Sequence, residues 1–172
     1  QALVYLDSKK LDKAEPILTK LINSDPTNLF YLDAISDLHI EQKQPEIAIK
    51  ELESALVRQP NNPVLTINYA NALIENEDLQ EAVRVLQRYT HDNPNDTNGW
   101  YLLSKANTNL GNSDEELSAR AEILALQANW NKAIQYYTQA SQIAELGSLK
   151  QARYDARIDQ LMIQRERFLS LQ

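Results

Sequence analysis

The sequence holds two histidines, His39 and His91, the side chains best suited to shuttle protons or ligate zinc near neutral pH. They lie far apart in the chain. Neither has a partner at metal-ligand spacing, and the zinc-protease pattern of two histidines flanking a glutamate on one helix face is missing. No cysteine occurs, so thiolate metal sites and a disulfide framework are excluded, while the redox compartment stays open. Glu115-Glu116 is the strongest carboxylate pair that could do acid–base work. It falls at an expected helix start, where negative charge simply complements the helix dipole. Glycine-rich phosphate loops and nucleophile elbows are also missing. His39 occupies a slot held elsewhere by an apolar or aromatic residue such as Tyr5, which predicts a packed imidazole. His91 closes a helix, where a cation is favourable. The chain is therefore expected to be non-catalytic, with no metal or cofactor of its own.

Composition points to helices that present a surface. Hydrophobic residues make up 43% and charged residues 24%, with 3 glycines and 6 prolines, a mix rich in good helix formers. The net charge is −7, unevenly spread. From Lys150 onward, Lys150, Arg153, Arg157, Arg165 and Arg167 outnumber Asp155, Asp159 and Glu166, so the body is the more acidic part. An acidic body argues against nucleic acid, whose phosphates need clustered cations. The basic tail reads as a solvated helix with internal ion pairs, or as a docking surface for an acidic partner or anionic lipid. No apolar run is long enough to span a membrane. The chain opens at Gln1-Ala2-Leu3-Val4-Tyr5 already in helical pattern, as expected of a fragment of a longer protein.

An internal repeat supplies the scaffold. Pro26, Pro60 and Pro94 recur every 34 residues, and twelve residues before each stands Ala14, Ala48 or Ala82. Leu18, Leu52 and Leu86 follow those alanines by four. A further copy runs Trp130-Asn131-Lys132-Ala133 with Tyr137 and Ala140. Thirty-four residues folded as two helices is the period of the tetratricopeptide repeat (TPR), which this pattern resembles. The alanines mark where paired helices come closest. Each proline ends a second helix, and the Asn or Asp after it can cap the next one.

The fold class predicted is all-α, a TPR helical-hairpin solenoid of about four repeats with one extra helix and a long C-terminal capping helix. As one domain over 1–172, its repeats fall at about 1–28, 29–62 and 63–96, followed by an irregular 97–144 and a capping helix over 147–170. Helices are expected at about 1–8, 11–23, 29–42, 45–58, 63–76, 79–91, 97–110, 114–127, 130–144 and 147–170. Pro16 is tolerable only in the first turn of its helix. Ala82 to Ala133 spans one and a half repeats, so helix 114–127 must pair both backwards with 97–110 and forwards with 130–144. In the last helix Tyr154, Ile158, Leu161 and Phe168, with Leu169, form one apolar stripe that would cover the end of the array.

Function then falls to the concave face built by the first helix of each repeat. Helical phasing puts Phe30, Asp33 and Asp37 there, then Ile67, Asn68 and Asn71, then Tyr101, Lys105 and Thr108. That mixture suits an extended or helical segment of another protein. Asp33 and Asp37 stand where TPR co-chaperones place Lys and Asn to grip a C-terminal carboxylate, and would repel one.

The run Gly147-Ser148-Leu149-Lys150-Gln151-Ala152-Arg153-Tyr154-Asp155-Ala156-Arg157-Ile158-Asp159-Gln160-Leu161 resembles the end of the bacterial β-barrel assembly-enhancing protease family. Phe30-Tyr31-Leu32-Asp33, Asn62-Pro63-Val64-Leu65, Asn98-Gly99-Trp100 and Ala119-Arg120-Ala121-Glu122 resemble the same family. The resemblance implies a periplasmic zinc metalloprotease whose HExxH domain, with its zinc, is missing from this chain. It implies a TPR part that engages the β-barrel assembly machinery, outer-membrane protein substrates and its own protease domain. The alternative reading is a stand-alone cytoplasmic TPR adaptor that binds a peptide segment.

Overall fold

The computed structural model describes residues 2–170. Gln1, where the first expected helix begins, and Leu171 and Gln172 lie outside the described residues. Among the described residues there are ten helices and no strand: α1 (Ala2–Asp7), α2 (Leu11–Ser24), α3 (Leu29–Glu41), α4 (Pro45–Arg58), α5 (Pro63–Glu75), α6 (Leu79–Asp92), α7 (Thr97–Leu110), α8 (Ser113–Leu126), α9 (Trp130–Ile143) and α10 (Leu149–Leu169). The packing divides into two compact units, Gln1–Val85 and Leu86–Gln172.

Two kinds of turn alternate, and local chemistry explains both. Between repeats, the residue after each proline loop caps the helix that follows. Asn28 accepts from the Phe30 N–H, Asn62 from those of Val64 and Leu65, and Asp96 from that of Asn98. Within repeats, the chain turns through one left-handed residue. These are Lys9, Lys43, Glu77 and Gly111, again 34 apart. Around each, two N–H groups reach back onto the last carbonyls of the preceding helix, as when Lys43 donates to Ile40 and Gln44 to His39. A fifth such turn sits at Ala128, where Ala128 donates to Ala125 and Asn129 to Leu124. The period calls for a proline loop there. The half-step in the repeat is thus one extra intra-repeat turn.

That turn gives α8 its double role, since it packs on α7 before it and on α9 after it. In the first unit, α1 packs on α2, α2 on α3, α3 on α4 and α5, and α4 on α5. Ala14, Ala48, Ala82 and Ala133 are all fully buried, as close helix approach requires, and Leu18, Leu52 and Leu86 are buried beside them. One core cluster of the first unit gathers Leu6, Leu18 and Leu38, and another Leu32, Leu52 and Leu65. The core of the second gathers Ala125, Tyr137, Tyr154 and Leu161.

Two expectations need correction. Pro16 lies in the second turn of α2 rather than its first. Both Pro16 and Asp12 are exposed, so the carbonyl that loses its helical donor can be hydrated. The apolar stripe of α10 is covered only in part. Tyr154 and Leu161 are 1% and 0% exposed, whereas Phe168 and Leu169 are 45% and 59% exposed. Length is the reason. Gln151 donates to the Ser141 carbonyl and Arg165 to Asn131, so α10 runs antiparallel to α9. Its 21 residues outlast the 14 of its partner.

Candidate protein-binding surfaces

The sequence-derived surface residues fall in both units. In the first, Phe30 at the start of α3 is 84% exposed, while Asp33 is half-buried and accepts from Asn68 Nδ2 of α5 at 2.7 Å. This bond joins the first helices of adjacent repeats and brings Asp33 and Asn68 together. Ile67 and Asn71 are half-buried on α5. Asp37 is exposed, yet partial desolvation, aided by the charges of Asp33 and Glu41, pushes its carboxyl up to about 6. In the second unit Tyr101 is 61% exposed on α7. Lys105 is half-buried and Thr108 exposed, the latter donating its hydroxyl to the Ser104 carbonyl at 2.9 Å.

A second surface, in the Leu86–Gln172 unit, rests on residues that the phasing argument passed over. The first turn of α8 carries Asp114 and Glu115, and two turns later stands Glu122. Facing them, α10 carries Lys150, Arg153 and Arg157. Lys150 Nζ lies 2.8 Å from Asp114. Arg153 Nη2 donates to both Glu115 oxygens at 2.9 and 3.1 Å. Arg157 grips Glu122 as a fork, Nε to Oε1 and Nη2 to Oε2, both at 2.7 Å, the planar pairing that arginine favours. Tyr137 of α9 adds its hydroxyl to Glu122 Oε1 at 2.6 Å, and Tyr154 donates to Asp114 at 3.2 Å. The basic tail is therefore paired largely against α8, across helices and not only along itself.

Electrostatics follow from this pairing. Burial pushes the Tyr137 phenol up, and the negative charge of Glu122 adds to it. Burial likewise raises Tyr154, with Glu115 and Asp114 contributing. Burial also acts to raise the Asp114 carboxyl, but the hydrogen bond and charge of Lys150 hold it below the usual carboxylate range. The Glu122 hydrogen bonds raise Arg157 further.

Beside this pairing opens a cleft of about 540 Å³, whose walls include His91 of α6, Trp100 and Leu103 of α7, Ser118 of α8, and Arg153 and Arg157 of α10. In the sequence the acids step by 1 and 7 residues and the cations by 3 and 4, so no shared spacing announces the pairing. His91 ends α6 as expected, exposed. His39 is not a plain core imidazole. It is half-buried, with Nε2 lying 3.6 Å from Glu51 Oε2 of α4. Among the described residues no three His, Cys, Asp or Glu cluster as a metal site, and no helix is long and apolar enough to cross a membrane.

Hairpins repeating every 34 residues, seated on small residues and parted by capped proline loops, define a tetratricopeptide-repeat array. Residues 39–106 and 1–28 match the Tetratricopeptide repeat family. The crystal structure of MamA shares the fold at TM-score 0.63 and 17% identity, covering 99% of this chain and 97% of that one. Yeast Tom70 does so at TM-score 0.52 and 14% identity, over 96% of this chain and 39% of its own. Sequence relatives narrow the class. The beta-barrel assembly-enhancing protease of Yersinia pestis is 44% identical over 172 residues, 100% of this chain and 35% of its own length. That of Escherichia coli (strain K12) is 44% identical over 168 residues, 98% of this chain and 34% of its own. A Vibrio cholerae protein bearing the same family name is 70% identical over all 172 residues, 36% of its length. The chain is a tetratricopeptide-repeat domain of the β-barrel assembly-enhancing protease family. It spans about a third of the length of these relatives. Identity over the whole chain removes the reading in which the resemblance of the C-terminal run was accidental.

Proposed function

We propose that this chain is the docking and substrate-selection domain of a periplasmic metalloprotease acting in outer-membrane β-barrel assembly and quality control. The observation that carries the reading is 70% identity across the full 172 residues to a protein bearing that family's name. A repeat array supports it physically, because stacked hairpins present long side-chain faces at little conformational cost. In this reading the partners are the β-barrel assembly machinery, its outer-membrane protein substrates and the chain's own protease domain. Zinc and the catalytic residues belong to that protease domain, and α10 closes the array through Tyr154 and Leu161.

Photoreactive residues at 37, 71 and 101 of the full-length protein test the reading in living cells. Crosslinks to components of the assembly machinery or to unfinished barrels are expected from at least one position. Capture of no envelope protein from any of the three overturns it.

A further inference from the structure

We infer that the cleft between α7, α8 and α10 takes an acidic side chain from an extended internal segment of a partner protein, with Arg153 as its specificity-determining residue. The inference rests on the docking reading above but names a different surface and a chemistry.

Layering of charge carries the argument. The acids Glu115 and Glu122 are the deeper groups, with side chains 15% and 11% exposed, against 59% and 27% for the side chains of Arg153 and Arg157 that pair with them. Each acid is already matched by its arginine. An entering segment therefore meets cationic N–H groups before it meets carboxylate. The hydrogen bonds from Arg153 to Glu115 both use Nη2, whereas Arg157 is held through Nε, Nη1 and Nη2, the Nη1 group reaching Gln160. Arg153 is thus the more available fork, and its guanidinium lies 5.2 Å from the centre of the Tyr154 ring, which limits its rotamers. Trp100 and the largely buried Leu103 also line the cleft and add apolar surface. Trp100 is fixed by Nε1 donating to the Pro94 carbonyl at 2.8 Å. A volume of about 540 Å³ accommodates a few residues of extended chain. The complement of these walls is an Asp or Glu beside an apolar residue.

Three short fluorescein-labelled probes test this by anisotropy on the full-length protein. The first has blocked ends and the core Gly-Phe-Asp-Leu-Glu-Gly, the second replaces its acids by Asn and Gln, and the third is the second with a free C-terminal carboxylate. The acidic probe is expected to bind about ten-fold more tightly than the other two, the worth of one charge-assisted hydrogen bond. R153Q should erase that preference and R153K should keep part of it, with unchanged thermal melts showing that both variants fold. Equal binding of acidic and amide probes overturns the inference, as does a preference that survives R153Q. Tighter binding of the free-terminus probe assigns the cleft to chain ends and overturns the commitment to an internal segment. Binding of none of the three removes the cleft as a docking site, while crosslinks from positions 37, 71 and 101 continue to judge the docking reading independently.

Discussion

Replacing Arg157 by Met should destabilise the second unit more than any other single surface-facing change in α10. The side chain of Glu122 is 11% exposed, and its two oxygens take three donors at 2.6–2.7 Å, two from Arg157 and one from Tyr137. Removing the arginine leaves a carboxylate with the tyrosine alone. Breaking such a pair costs roughly 3–5 kcal/mol when both partners are buried. Arg157 is 27% exposed, so water can enter where it stood, and about 3 kcal/mol is expected. Adding Glu122→Leu removes the stranded charge but leaves the Tyr137 hydroxyl without its acceptor, a residual cost of about 1–2 kcal/mol. Adding Tyr137→Phe should bring the triple variant within about 1 kcal/mol of the parent, since apolar replacement of a whole buried network is often neutral. Urea denaturation read by tryptophan fluorescence isolates the effect. The two tryptophans, Trp100 and Trp130, both belong to the Leu86–Gln172 unit. A cost below about 0.5 kcal/mol for Arg157→Met, with no recovery in the triple variant, would refute the reasoning.

Gly99→Ala places a Cβ 2.7 Å from Cδ1 of Tyr89, on a ring held in place by its hydroxyl's bond to Asp96. Overpacking of about 1–3 kcal/mol should outweigh the roughly 1 kcal/mol gained in helix propensity, giving a lower melting temperature. Ala82→Leu enlarges a fully buried contact and should cost about 1–3 kcal/mol; an unchanged melt would sink the assignment of Ala82 to a helix contact. Lys43→Gly relieves a left-handed residue, φ 63°, in an exposed turn and should raise the urea midpoint by an amount worth about 0.5–1 kcal/mol. For His39, the neighbouring Glu51 carboxylate, 3.6 Å away, raises the imidazole pKa above its ordinary value although burial opposes it. Its stabilisation is therefore fully present below about pH 6.5 and is lost as pH rises through the folded value. H39Q should flatten that slope, measured as urea midpoints from about pH 5 to about pH 9.

How much was legible depended on how local each cause was. Helix bounds came through to within a residue or two because prolines, caps and apolar periodicity act over a few residues. Ala14, Ala48 and Ala82 could be placed at buried contacts for the same reason. The left-handed turns at Lys9, Lys43, Glu77 and Gly111 were invisible despite keeping the 34-residue step, because their residue types differ and the backbone alone is repeated. Arg153 and Arg157 are legible in the sequence as charges, but their partners lie 38 and 35 residues away. Nothing in the chain between them indicates the pairing. The slot of His39 is apolar elsewhere, so sequence alone places it in the core, and only the register of α4 beside α3 supplies Glu51.

The sequence by itself determined a ladder of helical hairpins and its half-step at the extra helix. Those properties follow from spacing along one strand of chain. Tertiary structure alone decided that the half-step is a second intra-repeat turn at Ala128. It likewise decided that α8 presents its acids to the cations of α10, and that a cleft opens beside them. Each of these depends on the rotational register of one packed helix against another. Side-chain volumes at the contact set that register, and no period in the sequence encodes it.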